Sequence, residues 1–294
     1  MLPSEDSNGH ARRGASRSAL IVAHPGHELR VHGWLEEAAP VVCVLTDGSG
    51  RTRRSRLDST TRILEAAGAA PGPVYGVLSD AEFYNAVLAA DHAPFTRAIE
   101  ELASMLLRER IDFVAGDAEE GYNPAHDVCR LVVNAAVRLA SRTAGTSVAN
   151  YDFTLVAPPG LCADAQRQEA LWLKLDEAAL ARKLTAARNY PELRAEVAAA
   201  LGGAGSAGLR EHPDLAARHA SEFGGAGGGG DFGVECLRPV GSRMVGAPTF
   251  AGRPFYEEYG ERQVASGHYS RVLRYREHML PLEDALQRFV EAKG

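Results

Sequence analysis

The chain has 294 residues, 45% of them hydrophobic and 24% charged, with a formal net charge of −6. This is ordinary globular usage in a chain long enough to bury a full core without disulfide or metal staples. It excludes a mostly disordered chain, and no run of about 18 apolar residues is present to cross a membrane.

Residues 1–17 are polar, small and basic, without the apolar stretch of a secretory signal, and are expected to form a disordered tail. Residues 18–23 form a short apolar run that predicts a buried strand, broken by His24-Pro25-Gly26. A short helix over 28–37 follows despite Gly33, then a second buried strand over 40–45, ended by the turn cluster Thr46-Asp47-Gly48-Ser49-Gly50. A polar helix is expected over 54–67, stopped by Gly68, and a weak third strand over 74–78. Phe95, Ile99, Leu102 and Leu106 have helical spacing and predict a helix over 94–109, with proline in its first turn. A strand over 111–115 leads to Gly116-Asp117. Val128, Leu131, Val132, Ala135 and Leu139 make the apolar stripe of a long helix over 124–141, and 151–157 reads as another strand.

Strands alternating with helices predict an α/β fold, a Rossmann-like three-layer sandwich with a mostly parallel sheet. Beyond it, 166–188 reads as one helix, 201–208 and 224–230 as glycine-rich linkers or a surface insertion, 269–275 as an edge strand and 282–292 as a closing helix. The expected organisation is a tail over 1–17, a metal-binding catalytic domain over 18–200, and a glycine-rich loop and extension over 201–294 packed on that domain. No internal repeat is present.

In such sheets ligands sit beyond the carboxyl ends of the strands. The loops that gather there carry His24, His27, Asp47, Asp117, Glu119, Glu120 and His126. His24 and His27, three apart where a strand gives way to a helix, suit two imidazoles converging on one metal ion, and zinc accepts neutral imidazole readily. His126 can join them from the loop before the long helix. The bland alternative is that two histidines three apart recur by chance. His32 is expected to be structural and His212 and His219 solvated, while His268 or His278 could reach the pocket. Cys43, Cys129, Cys162 and Cys236 are widely spaced with no CxxC pair, which argues against a disulfide framework and against a cysteine zinc site. A reduced, cytoplasmic protein is expected. The mildly acidic balance gives no support for nucleic-acid binding.

A strand, then Ala23-His24-Pro25-Gly26-His27-Glu28, then a second strand ending in Leu45-Thr46-Asp47-Gly48, resembles the PIG-L/LmbE-like deacetylases. Arg56 at a helix start, Gly121-Tyr122-Asn123-Pro124-Ala125-His126-Asp127 before a long helix, and the stretch 172–190 with Lys183 follow in the family's order. The resemblance covers about 18–190 and implies one zinc ion held by His24, His27 and His126, with His27 in place of the usual aspartate. The implied reaction is hydrolysis of an N-acetyl or other N-acyl amide on a small polar molecule such as an amino-sugar conjugate. A neutral third ligand leaves the site one charge more positive, which favours ionisation of bound water.

Gly26 stands where the family has its general base, and Asn123 where it has a histidine that helps stabilise the oxyanion. Replacement bases are Glu28, Asp47, Asp117, Glu119, Glu120 and Asp127, with Glu120 and Asp117 ranked first because their loop is expected to face the metal. Glu28 is expected instead to hold its helix or a ligand histidine, and Asp47 is a turn former at the substrate edge. Gly26 could also open space for a substrate that brings its own carboxylate or phosphate. Arg56 is expected to hold an anionic substrate group, and Tyr122 to line the pocket. The expected partner is a small-molecule substrate, with no nucleic acid or membrane; the oligomeric state is left open. Two alternatives stand beside hydrolysis: other biosynthetic chemistry on the same metal, and an inactive small-molecule-binding relative.

Overall fold

The computed structural model describes residues 16–201, 231–241, 248, 250 and 252–293. The readings of a disordered tail and of two glycine-rich segments therefore fall almost wholly outside the described residues. Seven strands form one sheet: β1 Ser18–Val22, β2 Val41–Thr46, β3 Ala70–Leu78, β4 Phe113–Asp117, β5 Ala149–Phe153, β6 Leu171–Lys174 and β7 Val234–Pro239. Their order is β3-β2-β1-β4-β5-β7-β6. The first five are parallel, and β7 and β6 close one edge antiparallel.

The helices, in chain order, are α1 His32–Ala38, α2 Leu57–Ala66, α3 Asp80–Leu88, α4 Ala93–Arg108, α5 Pro124–Ala144, α6 Asp164–Arg167, α7 Glu177–Arg188, α8 Arg194–Leu201, α9 Phe255–Ala265 and α10 Leu280–Lys293. Every residue of β1 is buried, and the strand's period of two divides them between the faces of the sheet. Ala19 and Ile21 pack with Ile99 and Leu102 of α4, Val132 and Ala136 of α5, and Leu282 and Leu286 of α10. Leu20 and Val22 pack with Leu35 of α1 and Ile63 and Leu64 of α2, with Ala186 and Ala187 of α7 against them. The result is the expected α/β sandwich. The C-terminal residues enter the same core, because Tyr256, Leu273, Met279 and Val290 join the α4–α5 side.

Several elements differ from the sequence reading, among them β7, α8 and α9, for which no element was expected. The single helix expected over 166–188 is interrupted by β6, which pairs with β7 from Leu171 opposite Leu237 to Lys174 opposite Val234. The chain becomes helical again behind Asp176, whose Oδ1 accepts the Ala179 amide at 2.8 Å. The partner strand lies some sixty residues downstream, so local propensity alone could not announce the break. Helix α3 was not expected, although Ser79 and Glu82 form a reciprocal capping box. The edge strand expected over 269–275 does not form. Its backbone is taken by side chains, Tyr275 N–H by Glu257 Oε1 at 2.8 Å and Arg274 N–H by His278 Nδ1 at 3.0 Å, and it ends in a π-helical turn over Tyr275–Met279. The first helix splits into a 3-10 turn, His27–Val31, and α1.

One buried ion pair ties the antiparallel edge to α1. Lys183 Nζ donates to Glu235 Oε1 at 2.7 Å and to the Arg30 carbonyl at 3.0 Å. The Glu235 carboxylate also accepts the Gly33 and Trp34 amides, each at 2.9 Å. Lys183→Met removes the paired cation from a carboxylate that stays buried, so a loss of about 3 kcal/mol is expected in denaturant unfolding. An unchanged midpoint would show that the two amides suffice.

Candidate active site

The sheet runs outward from β1 in one direction and from β4 in the other, which makes the carboxyl ends of β1 and β4 the topological switch point. His24 and His27 follow β1, Asp117 ends β4, and His126 lies in the first turn of α5. The three imidazoles meet there edge to face. Ring centres are 5.3 Å apart for His24 and His27, 5.5 Å for His24 and His126, and 4.6 Å for His27 and His126. Imidazoles bound at about 2.0–2.1 Å around a tetrahedral ion hold their ring centres about 5.2 Å apart, so the observed spacings bracket what three zinc ligands need.

Proton placement agrees. Thr46 Oγ1 donates to the Ala23 carbonyl at 3.1 Å, so it accepts from His24 Nδ1 at 2.8 Å. Asp117 Oδ2 accepts from His27 Nδ1 at 2.9 Å and from the Ala23 amide at 2.8 Å. Both rings thus carry a proton on Nδ1, as carboxylate-oriented metal ligands do. Burial, and then the charges of His27 and His24, push the His126 imidazole well below its ordinary pKa, so it is neutral. Its Nδ1 is buried without a hydrogen-bond partner. Among the described residues no group of three or more His, Cys, Asp or Glu is arranged to hold a metal ion as it stands. Ring spacing and the Nδ1 hydrogen bonds alone point to a metal.

Asp80 is the site residue that the sequence reading missed. It lies at the start of α3, with Oδ1 3.2 Å from His24 Nδ1 and Oδ2 accepting the Gly50 amide at 2.7 Å. Burial works to raise its pKa, but His24, Thr46 and the Gly50 amide overcome that and hold the carboxyl well below the usual carboxylate range. The capping box that starts α3 was the signal that could have found it.

The carboxylates ranked as replacement bases are committed elsewhere. Glu120 accepts the amides of Leu155, Val156 and Ala157 at 2.8 to 3.3 Å, which fixes the loop after β5. Asp117 holds His27. Asp127 Oδ1 accepts the Glu120 and Gly121 amides, and burial together with the Glu119 charge raises its carboxyl well above the ordinary range. Glu119 is buried on the same loop. Asp47 forms a turn, its Oδ1 accepting the Ser49 amide at 2.9 Å.

Asn123 caps α5. Its Oδ1 accepts the Ala125 amide at 2.9 Å and the Tyr84 hydroxyl at 2.8 Å, which fixes the amide and leaves Nδ2 as a donor with no partner among the described residues. The Arg56 side chain lies against the Gly48–Gly50 loop and is half-buried. Its guanidinium makes no hydrogen bond or ion pair among the described residues. Tyr122 stacks on Phe255 of α9 with ring centres 5.1 Å apart. His32 is buried as a structural residue, His268 is exposed, and His278 is occupied by the Arg274 amide. His212 and His219 lie outside the described residues.

Gly26 does not open a space. Its φ is +105°, and a Cβ there would run into Leu193 Cδ1, with Tyr190 behind it. Glu28 holds this turn. Its carboxylate is wholly buried, accepting the Gly26 amide at 2.7 Å and the Thr60 hydroxyl at 2.8 Å. Burial raises its pKa to about 7. Between the unfolded value near 4.5 and the folded value near 7, the folded state keeps a proton that the unfolded chain has lost. Stability from this group is therefore fully present below pH 4.5 and is lost as pH rises through 7, by up to about 3 kcal/mol. Glu28→Gln is expected to flatten that slope in unfolding measured from pH 5 to 8, and an equal slope in both proteins would refute this assignment.

The fold and the site together define an α/β protein with three converging histidines at its switch point, two of them oriented by carboxylate or hydroxyl partners. No family model and no curated protein matches the chain. Among solved structures, it is similar to the A40926 pseudoaglycone deacetylase Dbv21, at 17% identity over 76% of this chain and 97% of that one, with a TM-score of 0.45. The zinc-inhibited form of the teicoplanin deacetylase Orf2 is similar at 12% identity over the same shares, with a TM-score of 0.44. With TM-scores below 0.5, these likenesses decide neither activity nor substrate.

Proposed function

We propose that this chain is a metal-dependent hydrolase that cleaves the amide of a small N-acylated polar molecule, an acylated amino sugar being the model substrate. The observation that carries the reading is the convergence of three imidazoles, two with their Nδ1 protons tied down. His24, His27 and His126 would hold zinc, which when bound supplies Lewis-acid polarisation of the scissile carbonyl and acidifies a water molecule. Asp117, Thr46 and Asp80 keep His24 and His27 oriented. Asn123 Nδ2 is the donor for the oxyanion, its orientation fixed by the two hydrogen bonds to Oδ1. Arg56 offers an uncommitted guanidinium to a carboxylate, phosphate or hydroxyl group of the substrate.

A second reading, a small-molecule-binding protein without turnover, is favoured by one observation: Leu193 fills the space in front of Gly26. Loss of a positioned base costs about 10²–10⁴ in rate, so turnover is expected to be slow. The test is acetate release from a panel of N-acetylated amino-sugar conjugates by zinc-loaded protein, with Asn123→Ala beside it. Release that falls at least tenfold in Asn123→Ala supports hydrolysis. Binding of a conjugate with no release over days supports the second reading.

A further inference from the structure

Cys162 and Cys236 are remote in sequence but meet beneath the loop that follows β5. Cys236 and Arg238 are two apart on β7, so their side chains share one face of the strand. On that face Arg238 Nη1 donates to the Leu161 carbonyl at 3.0 Å, and Gln166 Nε2 donates to the Pro239 carbonyl at 2.9 Å. The segment 161–166 is thereby laid along β7 with Cys162 beside Cys236: the Cys162 thiol donates to the Ala163 carbonyl, and burial, then the neighbouring Cys162, push the Cys236 thiol up to about 11. Both thiols are free, with 9% and 3% exposure. We infer that Cys162 and Cys236 form a reversible disulfide that staples the loop after β5 to β7.

The oxidant is a small disulfide such as oxidised glutathione. The Cys162 thiolate, on the more exposed residue, attacks it and releases one glutathione thiol. The Cys236 thiolate then attacks the Cys162 sulfur of the mixed disulfide and releases the second. The two protein thiols lose two protons and two electrons, and the oxidant gains them as two thiols. The bond closes a loop of about 75 residues, which constrains the unfolded chain strongly. It also anchors the segment whose amides at Leu155, Val156 and Ala157 hold Glu120, seven residues before the helix residue beside His126.

The full chain is incubated with oxidised glutathione, then mapped as non-reduced peptides by mass spectrometry, beside Cys162→Ala and Cys236→Ala. The expected result is a mass loss of about 2 Da located to a peptide joining Cys162 to Cys236, with a rise in Tm on the order of 10 °C that dithiothreitol reverses and both variants lack. Stable glutathione adducts on the two cysteines, a bond involving Cys43 or Cys129, or no reaction would each overturn the inference.

Discussion

His126→Ala is expected to abolish zinc retention and turnover together while leaving the protein folded. A change one step removed from a metal costs about 10–100-fold in affinity or activity, so deleting a ligand outright exceeds 100-fold in both. The fold should tolerate the change because His126 contributes no hydrogen bond through its buried Nδ1. Losing the ring leaves a small cavity but also removes an unsatisfied polar atom, and these effects oppose each other. Metal analysis and a denaturation midpoint on the same preparation check the prediction. Turnover that persists in a folded, zinc-free His126→Ala protein would remove this histidine from the site.

Gly26→Asp tests what the departure at that position means. The substitution restores a carboxylate beside the histidines, but the backbone opposes it. A non-glycine residue at φ +105° is strained by about 1–3 kcal/mol, and forcing a side chain into Leu193 adds about 1–3 kcal/mol of overpacking. The single variant is expected to lose about 2–6 kcal/mol and to gain no turnover. Gly26→Asp combined with Leu193→Ala recovers the overpacking part alone. Undiminished stability with a tenfold rise in turnover for the single variant would show that Leu193 yields easily and that Gly26 is a simple loss.

The parallel half of the fold was legible because its signals are local. The apolar runs at 18–23 and 40–45 and the helical stripes of α4 and α5 carry their period in the sequence, and the strand-end rule put His24, His27 and His126 on one edge. What escaped depends on distant partners. Strand β6 exists because β7 pairs with it, and the segment after Gly267 is shaped by Glu257 and His278 instead of by a neighbouring strand. The same limit applies to the acids. Sequence could place Glu120 and Asp117 near the histidine edge, but only the fold shows three amides on Glu120 and an imidazole on Asp117. Asp80 was silent for a different reason: it opens a short helix that was not expected. Leu193, some 167 residues from Gly26, could not be foreseen as its neighbour.

The most direct measurement is the zinc content of the purified protein, stripped with chelator, resupplied with zinc and analysed by mass spectrometry, beside His27→Ala. The three-histidine site predicts one zinc per chain in the unaltered protein and loss of it in the variant. No bound zinc in the unaltered, folded protein, or equal zinc in both, would contradict it.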